Sequence, residues 1–114
     1  MFMLIVVLAL VALQSPLVVD GVIVSPRWVE TAPAELLIPE VTEWPGAADA
    51  ELLCSVLADG ALRDCSVERS DPHGDERVVR HALHLSRFFR LEPRLADGRA
   101  VEGLKVRLRL KWES

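Results

Sequence analysis

Residues 51–69 read ELLCSVLADGALRDCSVER. Two β-like runs, ELLCSVL and LRDCSVER, flank Ala58-Asp59-Gly60-Ala61. Asp-Gly between such runs is a strong short-range hairpin signal, because glycine accepts the positive φ that tight turns require. With Asp59-Gly60 at the turn centre, Cys54 falls opposite Cys65, Leu52 opposite Val67 and Ser55 opposite Asp64. One face then carries Leu52, Cys54, Val56, Cys65 and Val67, and the other Glu51, Ser55, Asp64, Ser66 and Glu68. A slip of one residue would mix Asp64 and Ser66 into the apolar face, which the two-residue alternation penalises.

The two sulfurs therefore share a face at neighbouring positions. Opposed Cα atoms of an antiparallel pair lie about 4.5–5.5 Å apart, within disulfide range. Closing so short a loop contributes about 2–3 kcal/mol. A Cys54–Cys65 staple is the reading this supports. The spacing is unlike a Cys-x-x-Cys redox pair, and two cysteines alone do not make a zinc site.

Downstream, Ser70-Asp71-Pro72-His73-Gly74 is turn-rich and Asp75 is placed to cap a helix. Val78, Ala82, Leu85 and Phe89 recur with helical spacing, with Val79 and Leu83 beside them. Arg77, Arg80, His84 and Arg87 fall mainly on the wet side, and Pro93 requires the helix to end by about Leu91. Asp97-Gly98 marks a second turn. Residues 104–112, LKVRLRLKW, alternate strictly: Leu104, Val106, Leu108, Leu110 and Trp112 inward, Lys105, Arg107, Arg109 and Lys111 outward. Upstream, residues 33–37 suit a short helix, and Pro39 and Pro45 break the segment after it into extended pieces. The order hairpin, helix, strand predicts an α+β class: a small antiparallel sheet of about three strands with helix packed on one face.

At 114 residues there is room for one domain. Residues 4–13, LIVVLALVAL, form an apolar run that Gln14-Ser15-Pro16 ends. That length suits the apolar region of a signal peptide, about 7–15 residues, rather than a membrane span of about 20. Residues 1–17 are thus expected to be a signal peptide, with a short uncleaved anchor extended by residues 17–19 as the alternative, and residues 18–114 a single exported domain. Membrane contact is then expected only through this N-terminal segment, if it is uncleaved. An exported chain with two cysteines is expected to oxidise them. The net charge of −4 gives no reason to expect nucleic acid as a partner. Acidic residues dominate positions 30–76, opposed by Arg63 and Arg69, and basic residues dominate 77–111, opposed by Glu92, Asp97 and Glu102.

The order Cys54-x-Val56, Asp59-Gly60, Leu62, Asp64-Cys65-x-Val67, Asp71-Pro72-x-Gly74 resembles the C-terminal domain of the TonB energy-transducer family, in its cysteine-bearing alphaproteobacterial form. The resemblance continues through Ala82-Leu83, Phe89-Arg90-Leu91-x-Pro93, Asp97-Gly98, Val101, Gly103 and the final strand, and upstream through Val24-x-Pro26-x-Trp28 and Pro33. It departs at Ala50, where relatives often place glycine, and at Glu43-Trp44, where Tyr-Pro is common. The resemblance implies a periplasmic domain that adds a segment of an outer-membrane transporter, or of a related envelope protein, to its sheet as an extra strand. By that analogy residues 104–112 are the docking edge. A full membrane-spanning helix and a Pro-rich spacer are not evident in the sequence, so binding without energy transduction is the expectation.

Two other functions compete. One is a structural or regulatory envelope protein with no part in transport. The other is a metal enzyme: His81 and His84 stand three apart on the expected helix, with His73 between Asp71 and Asp75 nearby. Nucleophile-elbow, P-loop and zinc-protease patterns are absent from the sequence, so neither a catalytic residue nor a cofactor is assigned. The cationic positions of the last strand have a plainer role too, since charge on an edge strand deters aggregation.

Overall fold

The computed structural model describes residues 16–37 and 44–113. The expected signal segment up to Ser15 and the break at Pro39 lie outside the described residues. In chain order the elements are β1 (Val18–Val19), β2 (Val22–Ile23), β3 (Trp28–Glu30), α1 (Ala34–Leu37), β4 (Ala48–Val56), β5 (Leu62–Asp71), α2 (Glu76–Ser86), β6 (Arg90–Leu91) and β7 (Lys105–Trp112).

The 51–69 hairpin is the β4–β5 pair. Gly60 donates its N–H to the Leu57 carbonyl (2.9 Å), Leu57 donates to Ala61 (2.8 Å), and Ala61 N–H is held by the Asp59 carboxylate (3.0 Å). Gly60 sits at φ 89°, and a Cβ there would run into the Leu91 carbonyl. Glycine is thus required twice, for the backbone angle and for the approach of β6. The same four letters, Leu-Ala-Asp-Gly, build the second turn: Gly98 N–H bonds the Leu95 carbonyl, Leu95 N–H bonds Arg99, and the Asp97 carboxylate holds Arg99 N–H.

Leu52 opposes Val67 as the alternation requires, and the Cys54–Cys65 disulfide forms with Cα atoms 4.0 Å apart. Ser55 opposes Arg63, not Asp64. The register shifts between Leu53 and Ser55 and again between Glu51 and Leu52, so β5 carries extra residues relative to β4. Asp64 takes φ 52°, a left-handed angle that aspartate tolerates better than most residues. Such bulges twist a strand and interrupt its ladder.

The sheet is larger than the alternation predicts. Five strands lie in the order β1-β2-β7-β4-β5, with β3 and β6 forming a separate antiparallel pair. The three long strands are antiparallel, but β2 joins β7 in parallel, through Val22↔Lys105 and Ile23↔Val106. The expectation of about three strands, all antiparallel, is corrected on both counts. The cause is a two-residue hairpin, Val18-Val19-Asp20-Gly21-Val22-Ile23. Asp20 (φ 53°) and Gly21 (φ 78°) both take the positive angles of the tight turn whose twist matches its strands.

α2 begins at Asp75, whose side chain accepts from Arg77 N–H (2.9 Å). Val78, Ala82 and Leu85 are fully buried against the sheet. The apolar stripe runs on to Phe89 but the helix does not. It closes through Arg87 to His84, Phe88 to Leu85 and Phe89 to Ser86 hydrogen bonds, the tighter three-residue spacing of a helix end. Phe89 is buried beyond the helix, beside β6. The core joins Leu52, Cys54 and Val56 of β4 to Val106 and Leu108 of β7, Leu91 of β6 and Val101. The opposite face of the sheet has no helix on it among the described residues.

Candidate docking edge

β7 is an interior strand at its start and an edge strand at its end. β2 pairs with Lys105 and Val106, and the chain then leaves the sheet. From Arg107 onward no described strand lies on that side. Lys105 donates its N–H to Gly21 (2.9 Å), toward β2, while Leu104 offers its carbonyl to Val56 (2.9 Å), toward β4. Backbone groups of a strand alternate in direction, so Arg109 and Lys111 aim theirs away from β4, at the unoccupied side. The parallel pairing of Ile23 with Val106 also engages the Arg107 N–H, so the open stretch runs from the Arg107 carbonyl to Trp112.

The sequence-assigned docking set, residues 104–112, therefore divides. Leu104 precedes the strand, and Lys105 and Val106 are already paired with β2. Val106, Leu108, Leu110 and Trp112 are buried in the core and turn their backbones toward β4. Arg107, Arg109 and Lys111 are exposed on the outer face. The last two combine an outward cation with an unpaired backbone edge.

Alongside this edge runs an open groove of about 680 Å³, bordered by Ile23, Val24, Pro26, Trp28 and Phe89 on one wall and by Arg107 and Arg109 on the other. Trp28 and Phe89 meet edge to face with ring centroids 5.4 Å apart. β3 is anchored to β6 by Trp28↔Leu91 and by an Arg90–Glu30 ion pair of 2.8 Å. That carboxylate beside the guanidinium raises the Arg90 pKa. Sequence reading did not find this groove.

The cations on the outer face are partly engaged. Glu51, whose side chain is 16% exposed, accepts from Arg69 (3.4 Å) and is ion-paired with Arg107 (3.5 Å) and Arg109 (3.4 Å), and Glu68 accepts from Arg107 at 3.2 Å. Lys111 opposes Asp49 in register. β7 and β4 thus place four cations, Lys105, Arg107, Arg109 and Lys111, and two carboxylates, Asp49 and Glu51, on one face.

The histidines are arranged differently. His81 packs against the indoles of Trp44 and Trp112, at centroid distances of 5.6 and 5.8 Å, while the two indoles meet each other at 5.2 Å, and its Nε2 is 3.4 Å from the Leu37 carbonyl. That carbonyl also accepts the Trp112 indole N–H at 2.8 Å. His84 stands 6.5 Å from His81 and meets Phe88 edge to face. His73 is exposed in its turn. The Asp75 carboxylate, one of the two that the metal reading offers, is held by Arg77 at 2.6 Å and caps α2. Among the described residues no three His, Cys, Asp or Glu side chains gather into a metal-holding group. No described helix is long and apolar enough to cross a membrane. The disulfide fits an exported protein held in an oxidising compartment.

No family model, no curated protein and no solved structure matches the chain.

Proposed function

We propose that this chain is a periplasmic protein-binding domain of the TonB C-terminal kind, which takes an extended segment of an envelope partner onto the open stretch of β7. The observation that carries the reading is the open edge within residues 107–112, lying beside a groove with an aromatic and aliphatic wall and a cationic one. An added strand there gains backbone hydrogen bonds from Arg109 and Lys111 and a place for its side chains beside Trp28 and Phe89. An outer-membrane transporter is the partner that the sequence resemblance favours. The disulfide and the N-terminal apolar run support export.

Photo-crosslinking in intact cells tests this. A crosslinking residue at Lys111, on the open stretch, is expected to capture a specific envelope protein, and one at Glu68, on the opposite edge, is not. Capture at Glu68 alone, or at neither position, removes strand addition at β7.

A further inference from the structure

We infer that the partner segment alternates acidic with apolar residues over about five or six positions, and that this edge selects against a second copy of its own chain. The inference rests on the strand-addition reading and adds the partner's chemistry to it.

The lane is short. Six residues, 107–112, at about 3.3 Å each give an edge of roughly 20 Å. Directly opposed residues of neighbouring strands point to the same face of a sheet. Ile23 illustrates this, since it pairs with Val106 and both are buried. In an incoming strand, the residues opposite Leu108 and Leu110 therefore turn toward the groove side, where Phe89, Trp28 and Val24 present apolar surface. Those opposite Arg107, Arg109 and Lys111 turn to the outer face, beside a row of cations. Asp20 is the one acidic residue among the described residues bordering the groove.

The cation row then acts in two directions. Oppositely charged residues directly across a strand pair are stabilising, and like charges destabilising, by comparable amounts. Glutamate or aspartate at alternate positions of the partner meets Arg109 and Lys111 favourably. A second copy pairing along the same edge would set one row of cations against another. The same side chains that admit an acidic strand therefore discourage edge-to-edge self-association.

The test uses the folded domain and three capped six-residue peptides that alternate valine with glutamate, glutamine or lysine. Amide hydrogen exchange at Arg109 and Lys111 reads out strand addition, and titration gives the affinities. The glutamate peptide is expected to protect both amides and to bind about five- to tenfold tighter than the glutamine peptide, with the lysine peptide weakest. In Arg109→Gln with Lys111→Gln that preference is expected to vanish while both amides are still protected. Equal binding of the glutamate and glutamine peptides by the unaltered domain overturns the acidic-partner inference and leaves strand addition standing. Failure of every peptide to protect either amide overturns strand addition itself. Protection that rises with protein concentration in the absence of peptide overturns the selection against self-pairing.

Discussion

Two long stretches of sheet edge, all of β5 and the far half of β7, are unlike. β5 pairs with β4 through a register that shifts twice, carries a left-handed Asp64, and is fastened to its neighbour by the Cys54–Cys65 disulfide. β7 pairs with β4 without interruption from Ala48↔Trp112 to Ser55↔Lys105, and its far side is open beyond Val106. Bulges and strong local twist spoil an edge as a template, whereas an even ladder keeps its unpaired groups in register for another strand. Charge separates them as well, since β5 mixes Arg63 and Arg69 with Asp64, Glu68 and Asp71 while β7 carries cations alone. One edge is sealed by its shape. The other keeps an even backbone and a row of cations, of which Arg107 and Arg109 are ion-paired with Glu51 or Glu68 and Lys111 with Glu113.

Proline substitutions would break this contrast most severely. Leu110 sends its N–H to β4, so Leu110→Pro removes a ladder hydrogen bond and a buried leucine, at a cost of about 3 kcal/mol or more in urea unfolding. Arg109→Pro removes an N–H that faces the open side and is expected to cost much less, while abolishing peptide protection at that edge. Equal destabilisation by the two would mean that β7 is covered along its whole length.

Removing the staple acts on the other edge. Cys54→Ala with Cys65→Ala opens a loop of 11 residues, which lowers stability by about 3 kcal/mol on chain-entropy grounds. The loss should appear as faster exchange along β5, with the β4–β7 ladder less affected. Uniform loosening of both edges would show that the disulfide holds the whole sheet rather than its bulged side.

Much of this architecture is legible locally, and the exceptions share a cause. Asp59-Gly60, the alternation in β4, the helical stripe of α2 and the alternation of β7 are each periodic or turn signals contained within a few residues. The bulges escape because a shift of register on β5 leaves the apolar residues Cys65 and Val67 facing the core, so the alternation looks unbroken. The N-terminal hairpin has a signal of the same kind as the central one, since Val-Val-Asp-Gly-Val-Ile brackets Asp20-Gly21 with β-branched pairs. It lies at the border of a segment set aside as an export signal, and its parallel partner is at the opposite end of the sequence. The groove depends on Trp28 meeting Phe89, a long-range contact that no window along the chain reveals. The alternation of residues 104–112 reveals the strand, but how much of its edge is left open is set by where β2 stops, which the alternation does not show.

Acid sharpens the comparison by a smaller step. α2 backs β4 and β5, and its first turn is held by Asp75, whose carboxyl sits at about 2, below the ordinary 3.8. The chief cause is the hydrogen bond from the Arg77 side chain, reinforced by Arg77 N–H. Because the folded state keeps this group charged to lower pH than the unfolded chain does, its contribution is present above about pH 4 and is lost as pH falls through 2. Asp75→Asn preserves an oxygen for the cap but not the charge. The variant should melt slightly lower at neutral pH and show a shallower decline of melting temperature between pH 4 and 2. Hydrogen exchange at pH 3 should then rise on the α2 and β5 side before the β4–β7 ladder responds. If residues 107–112 loosened first instead, the open edge would depend on the helix cap, and the separation of a sealed edge from a receptive one would fail.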